Sequence, residues 1–553
     1  MAVADRLASA RSVMVQEREA ARILREAGMI PGLRNTALLL RHCGRSGPAG
    51  LAATLGAQHG DTPAIIDAHG TLTYRQFGQA TNALTNALST RVGPGRPTVA
   101  VMVRNSRYTP MAFLASAGIG AKVVLMNTDM GPRQLADVCA REKVGLIIYD
   151  DEFSGSLAQL DHSVDRLIAW VDGEAPDGID TVDDAIRTGS PRAPRFTRQM
   201  PDMVILTSGS SGTPKGRSNH GRLKDAASPS LATLAGFFQK IPLRGTDRIL
   251  LSAPAFHGWG AIVMFSGLLL GSTFVMDRRF DAERSVALAA EHRVTAIIGV
   301  PTTLRRMMDL GPERLADIDH RAIRIIGSGG ARLDVPLVER IMTEFGPVLH
   351  NLYGATEASF ITIATPEDLV AQPETAGSAP IGVSVRILRD GVPVPVGEVG
   401  DIYVRSAMVT GTYTNGETKE SIDGAMKTGD TGRLDAAGRL FIEGRSDGMI
   451  VSGGENVFPE EVELVLANHP AVADVKVAPV DDAEFGQRLR AFVVPREGAT
   501  VCLDEIKTYV SKELSRSRMP REVIVVPELP RTATGKVTNA TLDELAQAYQ
   551  PIG

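Results

Sequence analysis

The chain has 553 residues, 43% hydrophobic and 22% charged, and its 59 Lys and Arg fall short of 64 Asp and Glu, leaving a formal charge of −5. At about 150 residues per domain this length predicts several compact units with ample core, and the balance excludes a disordered or fibrous chain and any whole-protein affinity for nucleic acid. Three scattered cysteines, Cys43, Cys139 and Cys502, lack CxxC spacing, so they suggest neither a disulfide framework nor a zinc site and fit a reducing cytoplasm.

The first two dozen residues mix Asp, Glu and Arg without the apolar stretch of a signal peptide, which predicts a charged amphipathic helix. It belongs to an N-terminal extension, 1–50, that could cap the fold or pair with another subunit, leaving a homo-oligomer open. From Pro97 onward short apolar runs recur: Val99–Val103, Val123–Met126, Leu146–Tyr149, Met203–Leu206, Ala296–Val300 and Ile323–Ile326. Such runs read as strands buried on both faces. Helical patterns at Arg133–Arg141, Asp281–His292, Thr302–Leu310 and Val335–Phe345 alternate with them, so doubly wound α/β units with parallel sheets are expected. Ile249–Met276 carries no charge and is long enough to raise a membrane span. Pro254, Gly258, Gly260, Gly267 and Gly271 punctuate it, however, and predict strand, loop, buried helix and strand, with no transmembrane segment.

Between Ile387 and Arg439 short strand-like pieces separated by Gly, Pro and Asn turns predict a small β-rich subdomain. The last stretch has its own helices and strands. Pro459 opens a helix with Glu460 and Glu461 in its first turn, and Asp474–Val477 alternates as a half-exposed strand does. The expected fold class is therefore α/β: a large N-terminal domain, 51–445, of doubly wound α/β subdomains plus the β-rich one, then a smaller α+β C-terminal domain, 446–553.

The most informative segment, TSGSSGTPKG, follows the strand at Met203–Leu206. Its glycines let backbone N–H groups crowd round an anion, its hydroxyls at Thr207, Ser208, Ser210, Ser211 and Thr213 add donors, and Lys215 adds a positive charge, so a polyphosphate is the natural guest. Neither Gly209 nor Gly212 gives Lys215 the Walker register, which excludes a P-loop kinase or GTPase. A second glycine run, Gly327–Ala331, fails GxGxxG and on its own reads as a tight strand-to-helix turn. Asn351–Glu357, NLYGATE, gathers an aromatic, a glycine, a hydroxyl and a carboxylate. A carboxylate beside a phosphate site needs a metal between the two charges, which makes Glu357 a Mg²⁺ candidate.

Together, TSGSSGTPKG, YGATE (Tyr353–Glu357), TGD (Thr428–Asp430), GRSDGMIVSGGENVFPEEVE (Gly444–Glu463) and PRTATGK (Pro530–Lys536) resemble, in order and spacing, the adenylate-forming superfamily of acyl-CoA synthetases, peptide-synthetase adenylation domains and luciferases. The resemblance covers residues from about 50 to 545 and is strongest to fatty-acyl or aryl-CoA ligases. It implies that a carboxylate attacks the α-phosphate of ATP to give an acyl-adenylate and pyrophosphate, after which a thiol displaces AMP; ATP, Mg²⁺ and coenzyme A would be the cofactors. By motif, Thr207–Lys215 would hold the β- and γ-phosphates, Thr356 and Glu357 the phosphate and metal, and Gly329, Gly330 and Ala331 with Tyr353 the adenine, with Asn351 and Gly354 also at the nucleotide. Asp430 would accept from the ribose hydroxyls, assisted by Arg445. Lys536, on the small mobile domain, would contact the α-phosphate and the substrate carboxylate; Asn539 stands where the family pattern has a basic residue.

Asp447 matches the hinge about which the small domain swings, and in the second arrangement Gly453 and Gly454 would face the site and leave a channel for pantetheine. PAFHGWG, Pro254–Gly260, resembles the segment beside the substrate carboxylate, with His257 at that carboxylate and Trp259 as pocket gate or core aromatic. Val263, Met264 and Leu268 would wall the acyl pocket. No acidic residue lies between Pro254 and Met276 to pair an amino group, which favours a fatty or other hydrophobic acid over an amino acid. The rivals are a ligase that loads a carrier-protein phosphopantetheine, for which only 17 residues after Lys536 leave no fused carrier, and a non-catalytic nucleotide-binding relative.

Overall fold

β-Branched runs too apolar to face water on either side assemble into two mostly parallel sheets whose connecting helices cover them. In the computed structural model the described residues are 15–30, 32–93, 95–174, 176, 178–195, 197, 199–207, 215–218, 231–409, 413–414, 416–445, 449–530, 537 and 539–552. The side chains of Thr207 and Lys215, the loop residues Ser208, Gly209, Ser210, Ser211, Gly212 and Thr213, and Asp447 and Lys536 lie outside them, as does the start of the charged N-terminal helix. Residues 15–26 and Leu33–Ser46 are helical.

One sheet of eight strands runs in the order Thr362–Ala364, Leu349–Tyr353, Ile325–Gly329, Ala296–Gly299, Arg248–Leu251, Thr273–Val275, Pro63–Asp67 and Gly70–Thr73. Its interior pairings are parallel and its two edge pairings antiparallel. The other, of six strands, runs Asp165–Ile168, Leu146–Tyr149, Thr98–Met102, Lys122–Leu125, Asp202–Thr207 and Lys215–Ser218, parallel except for the last pair. The apolar stretch resolves as expected: strand Arg248–Leu251 of the eight-stranded sheet, a turn, the buried helix Gly258–Leu270 and strand Thr273–Val275 of the same sheet. No helix among the described residues is long and apolar enough to cross a membrane.

A third, antiparallel sheet holds Val383–Arg389, Gly400–Ser406, Ala425–Leu434 and Leu440–Arg445. The smaller C-terminal domain folds around the long pair Val472–Asp482 and Gly486–Pro495, with Glu522–Val525 beside it and helices Pro459–Leu466 and Leu503–Glu513. Its hydrophobic core is separate, built from Val462, Leu466, Val477, Ala491, Ile506 and Val510 among others. The fold is thus mixed α/β with a large N-terminal and a smaller C-terminal domain.

One local expectation fails. Gly327–Gly329 is not a turn but the last three residues of strand Ile325–Gly329, and the positive φ that bends the chain, +86°, comes only at Gly330. The reason is packing on the face above it. A Cβ on Gly327 would lie 2.9 Å from the Trp259 indole and one on Gly329 3.1 Å from it, so the bare strand gives the indole a seat.

Candidate active site

Parallel sheets open at their carboxyl ends, and four such ends converge here. Strand Arg248–Leu251 delivers the PAFHGWG turn, in which Asn105 Nδ2 donates to the carbonyls of Leu251 and Ala253 while its Oδ1 accepts from Ala255 N at 2.8 Å. A Cβ at Gly260 would sit 2.2 Å from the Pro254 carbonyl; only glycine lets the helix start this close. The turn leaves His257 at the helix N-terminus and sends Trp259 inward, where its Nε1 donates to Gly299 O at 2.9 Å and the ring is 6% exposed.

Strands Ile325–Gly329 and Leu349–Tyr353 lie side by side, with Ser328 opposite Asn351. Both side chains are buried, and Ser328 Oγ and Asn351 Oδ1 have no hydrogen-bond partner among the described residues. Such polar atoms are costly to bury unless a ligand completes them. The chain then turns sharply at Gly354, whose Cβ position is 2.1 Å from the Ser359 carbonyl. Tyr353 donates its hydroxyl to Asp430 Oδ2, and Arg445 Nη1 donates to Asp430 Oδ1 at 2.8 Å, across the register that pairs Asp430 with Arg445. Burial and the neighbouring carboxylate hold the Tyr353 phenol well above its ordinary value, so it remains a donor.

Glu357 follows that turn. It is buried, accepts from the Tyr413 hydroxyl and has the Lys419 ammonium 3.8 Å away. Neither partner is evident from sequence spacing. No group of three or more His, Cys, Asp or Glu side chains that could hold a metal occurs among the described residues. A single buried carboxylate fits Mg²⁺ all the same, since that ion takes one or two carboxylates and completes its shell with phosphate and water. In the second sheet, Asp202–Thr207 and Lys215–Ser218 pair antiparallel with Thr207 opposite Lys215, so the two ends of the intervening glycine-rich segment are held together at the sheet's carboxyl end.

The C-terminal domain closes over this crevice. Gly453 and Gly454, at φ +60° and +92°, form the turn between strands Ile450–Ser452 and Glu455–Val457. A Cβ at Gly454 would lie 3.9 Å from Gly330 O and 4.0 Å from Val300 Cγ1. Glu455 Oε1 is 2.7 Å from His257 Nε2, an acid–base contact between the two domains that sequence reading did not find, because the partners are nearly two hundred residues apart. Asn127, Leu206, Phe256, His257, Glu455 and Arg518 line a narrow cavity beside it. Ion pairs Arg133–Glu513 and Arg306–Glu484 also join the domains.

Burial pulls the His257 pKa down, but Glu455 and Asp129 outweigh it and the net shift is upward. For Glu455, burial pushes up while His257 and Arg518 bring the net shift below the usual carboxylate range. A raised histidine stabilises the docked turn below its ordinary pKa and loses that contribution as pH climbs through the raised value; the lowered carboxylate loses its share as pH falls through its own. The protection of residues 450–457 against hydrogen exchange, corrected for the intrinsic base-catalysed rate, is therefore expected to fall as pH rises through the raised His257 value, and Glu455→Gln to flatten that fall.

A crevice outside the carboxyl ends of parallel strands, edged by glycines and holding unpaired buried acceptors, is where α/β proteins bind nucleotides. Residues 53–414 match the family model of AMP-binding enzymes, and residues 461–536 match the AMP-binding enzyme C-terminal domain. The chain belongs to the AMP-binding enzyme family and is an adenylate-forming ligase. It is 30% identical to the indoleacetate–CoA ligase of Aromatoleum aromaticum over 86% of this chain and 93% of that one. A 2-succinylbenzoate–CoA ligase of Bacillus cereus is 30% identical over 81% and 88%. Among solved structures, a malonyl-CoA ligase with methylmalonyl-CoA and AMP bound superposes with a TM-score of 0.70 at 26% identity, covering 88% of this chain and 99% of that one.

Proposed function

We propose that the protein joins a carboxylic acid with an apolar tail to coenzyme A in two steps at this one site, through an acyl-adenylate. The observation that carries the reading is the glycine turn of the C-terminal domain seated on Gly330, because side-chain-free backbone at that point leaves room for a thiol arm to reach the strand ends. In the first step an oxygen of the acid bonds to the α-phosphorus as the bridging α–β P–O bond breaks, and pyrophosphate leaves. Two anions must meet, so positioning and charge neutralisation carry the catalysis. The 207–215 segment takes the β- and γ-phosphates on backbone N–H groups, hydroxyls and Lys215. Mg²⁺, when bound, spreads the phosphate charge. Glu357 would hold it, with Thr356 on the phosphate, and Lys419 and Tyr413 keep that carboxylate in place. Asn351 Oδ1 offers the adenine amino group an acceptor, between Gly329–Ala331 and Tyr353–Gly354, and Asp430 takes the ribose hydroxyls.

Lys536 meets the α-phosphate and the acid's carboxylate during this first step. In the second step the thiol sulfur attacks the acyl carbon, its proton is lost and AMP leaves with the bonding electrons; Asp447 serves as the pivot that brings Gly453 and Gly454 in. His257 sits at the carboxylate end of the acid, and Trp259, Val263, Met264 and Leu268 wall the tail. The indole of Trp259 fills the face above Gly327 and Gly329, so the support for a ring-bearing tail comes from the acids named for the two curated relatives, indoleacetate and 2-succinylbenzoate, both ring-bearing. A ring-bearing acid is accordingly favoured over a plain fatty chain. The three cysteines, all free, support a reducing, cytoplasmic setting.

Asp430→Ala leaves Arg445 and Tyr353 without their shared acceptor and removes the ribose contact. The KM for ATP is expected to rise roughly tenfold to a hundredfold, as for a hydrogen bond to a charged group, while the KM for the acid stays near wild type. The reading itself is tested by offering aryl, fused-ring and fatty acids with ATP, Mg²⁺ and either free CoA or a holo-carrier protein, and following products by mass spectrometry. Acyl-CoA and AMP are expected. Acyl groups found only on the carrier, or on neither acceptor, would overturn it.

A further inference from the structure

We infer that Glu142, a buried carboxylate that no step above uses, is a positioning residue that fixes the exit of the phosphate-holding segment against the segment that carries Tyr413. The inference rests on the proposed role of residues 207–215.

Glu142 ends the helix Pro132–Glu142, and its side chain is 1% exposed. Its Oε2 receives the Lys122 ammonium at 2.5 Å, and its Oε1 accepts from Arg141 Nε at 2.9 Å and from Thr414 Oγ1 at 2.7 Å. Burial pushes its pKa up, yet these donors bring the net shift below the ordinary value, so it stays ionised. Thr414 in turn donates its backbone N–H to Gly216 O at 2.7 Å. Gly216 is the second residue of the return strand, paired with Leu206. A Cβ there would lie 2.6 Å from Thr414 Oγ1, 2.8 Å from Val204 Cγ1 and 2.9 Å from Glu142 Oε1. The strand that leaves the phosphate-holding segment is therefore pressed directly onto this carboxylate and its hydroxyl partner.

The residue before Thr414 is Tyr413, which donates to Glu357. One buried carboxylate thus sets the spacing between two pieces of chain that the proposed function puts at the triphosphate: the 207–215 segment from the second sheet, and Tyr413, which follows strand Gly400–Ser406 of the third sheet, with its partner Glu357. Lys122 and Arg141 neutralise Glu142, so it positions the exit strand without repelling phosphate. A buried ion pair is a weak source of stability but a strong constraint on geometry, and a misplacement of about 1 Å can cost a hundredfold in rate.

The hydroxyl of Thr414 is the link most cleanly cut. In acid-dependent ATP–pyrophosphate exchange, Thr414→Val is expected to lower kcat/KM for ATP about tenfold with the KM for the acid unchanged, and Thr414→Ser to restore it. Glu142→Gln with Thr414→Val should be no worse than the poorer single variant, since both break one linkage. The Thr414 pair decides the matter even if Glu142→Gln folds poorly. Wild-type exchange together with an unaffected Thr414→Val, a serine that fails to rescue, or a double variant whose losses multiply would overturn this inference alone. Absence of exchange in the wild-type protein with every acid would overturn it along with the proposed function.

Discussion

Lys536→Ala is expected to slow acyl-adenylate formation by roughly two to three orders of magnitude, the loss seen when one preorganised donor to developing negative charge is removed, while transfer from supplied acyl-adenylate to CoA continues near the wild-type rate. The two half-reactions divide because they ask different things of the C-terminal domain. Adenylation joins two anions and needs a cation at the α-phosphorus; thiolysis starts from a mixed anhydride whose phosphate keeps a single negative charge, brings a thiol to the acyl carbon and not a second anion to the phosphorus, and instead needs an open path. ATP–pyrophosphate exchange measures the first, and rapid-quench formation of acyl-CoA from added acyl-adenylate measures the second. Equal loss in both would contradict the role given to the lysine.

Gly454→Leu should produce the opposite split. At Gly454 a Cβ meets nothing among the described residues closer than 3.9 Å, so Gly454→Ala adds the strain of a side chain at φ +92°, about 1–3 kcal/mol. Leucine carries the same strain and also extends its branches towards Gly330 and Val300, where the thiol arm would pass. Thiolysis is expected to fall about a hundredfold further in the leucine variant than in the alanine variant, with pyrophosphate exchange little changed between the two. If leucine and alanine behave alike, nothing passes this turn and the channel reading is wrong.

Some of this was legible from the sequence, and the remainder shows what local pattern omits. The uncharged stretch through Gly258–Leu270 was readable as a buried helix because proline and glycines cut it to a length too short for a bilayer. The alternating apolar runs gave the parallel sheets, since a strand buried on both faces has no polar positions to disguise it. Gly327–Gly329 misled, because glycines in a row look like a turn unless one knows that an indole lies across them, and Trp259 comes from another strand end. Asp430 with Arg445 was readable by motif, and their adjacency follows from an antiparallel pair. Glu455 was visible within its motif, yet nothing local marks it as the partner of His257. Tyr413, Lys419 and Glu142 were missed altogether. Each matters through contacts made across domains or sheets, and a tyrosine, a lysine and a helix-ending glutamate are otherwise ordinary surface residues.

The claim on which all of this depends is that the acid's own oxygen bonds to the α-phosphorus. It is tested most directly by running one turnover with the acid labelled with ¹⁸O in both carboxylate positions and weighing the products. The account predicts AMP carrying one labelled oxygen, pyrophosphate carrying none, and acyl-CoA keeping the other. Label in pyrophosphate or inorganic phosphate, or unlabelled AMP beside fully labelled acyl-CoA, would contradict it.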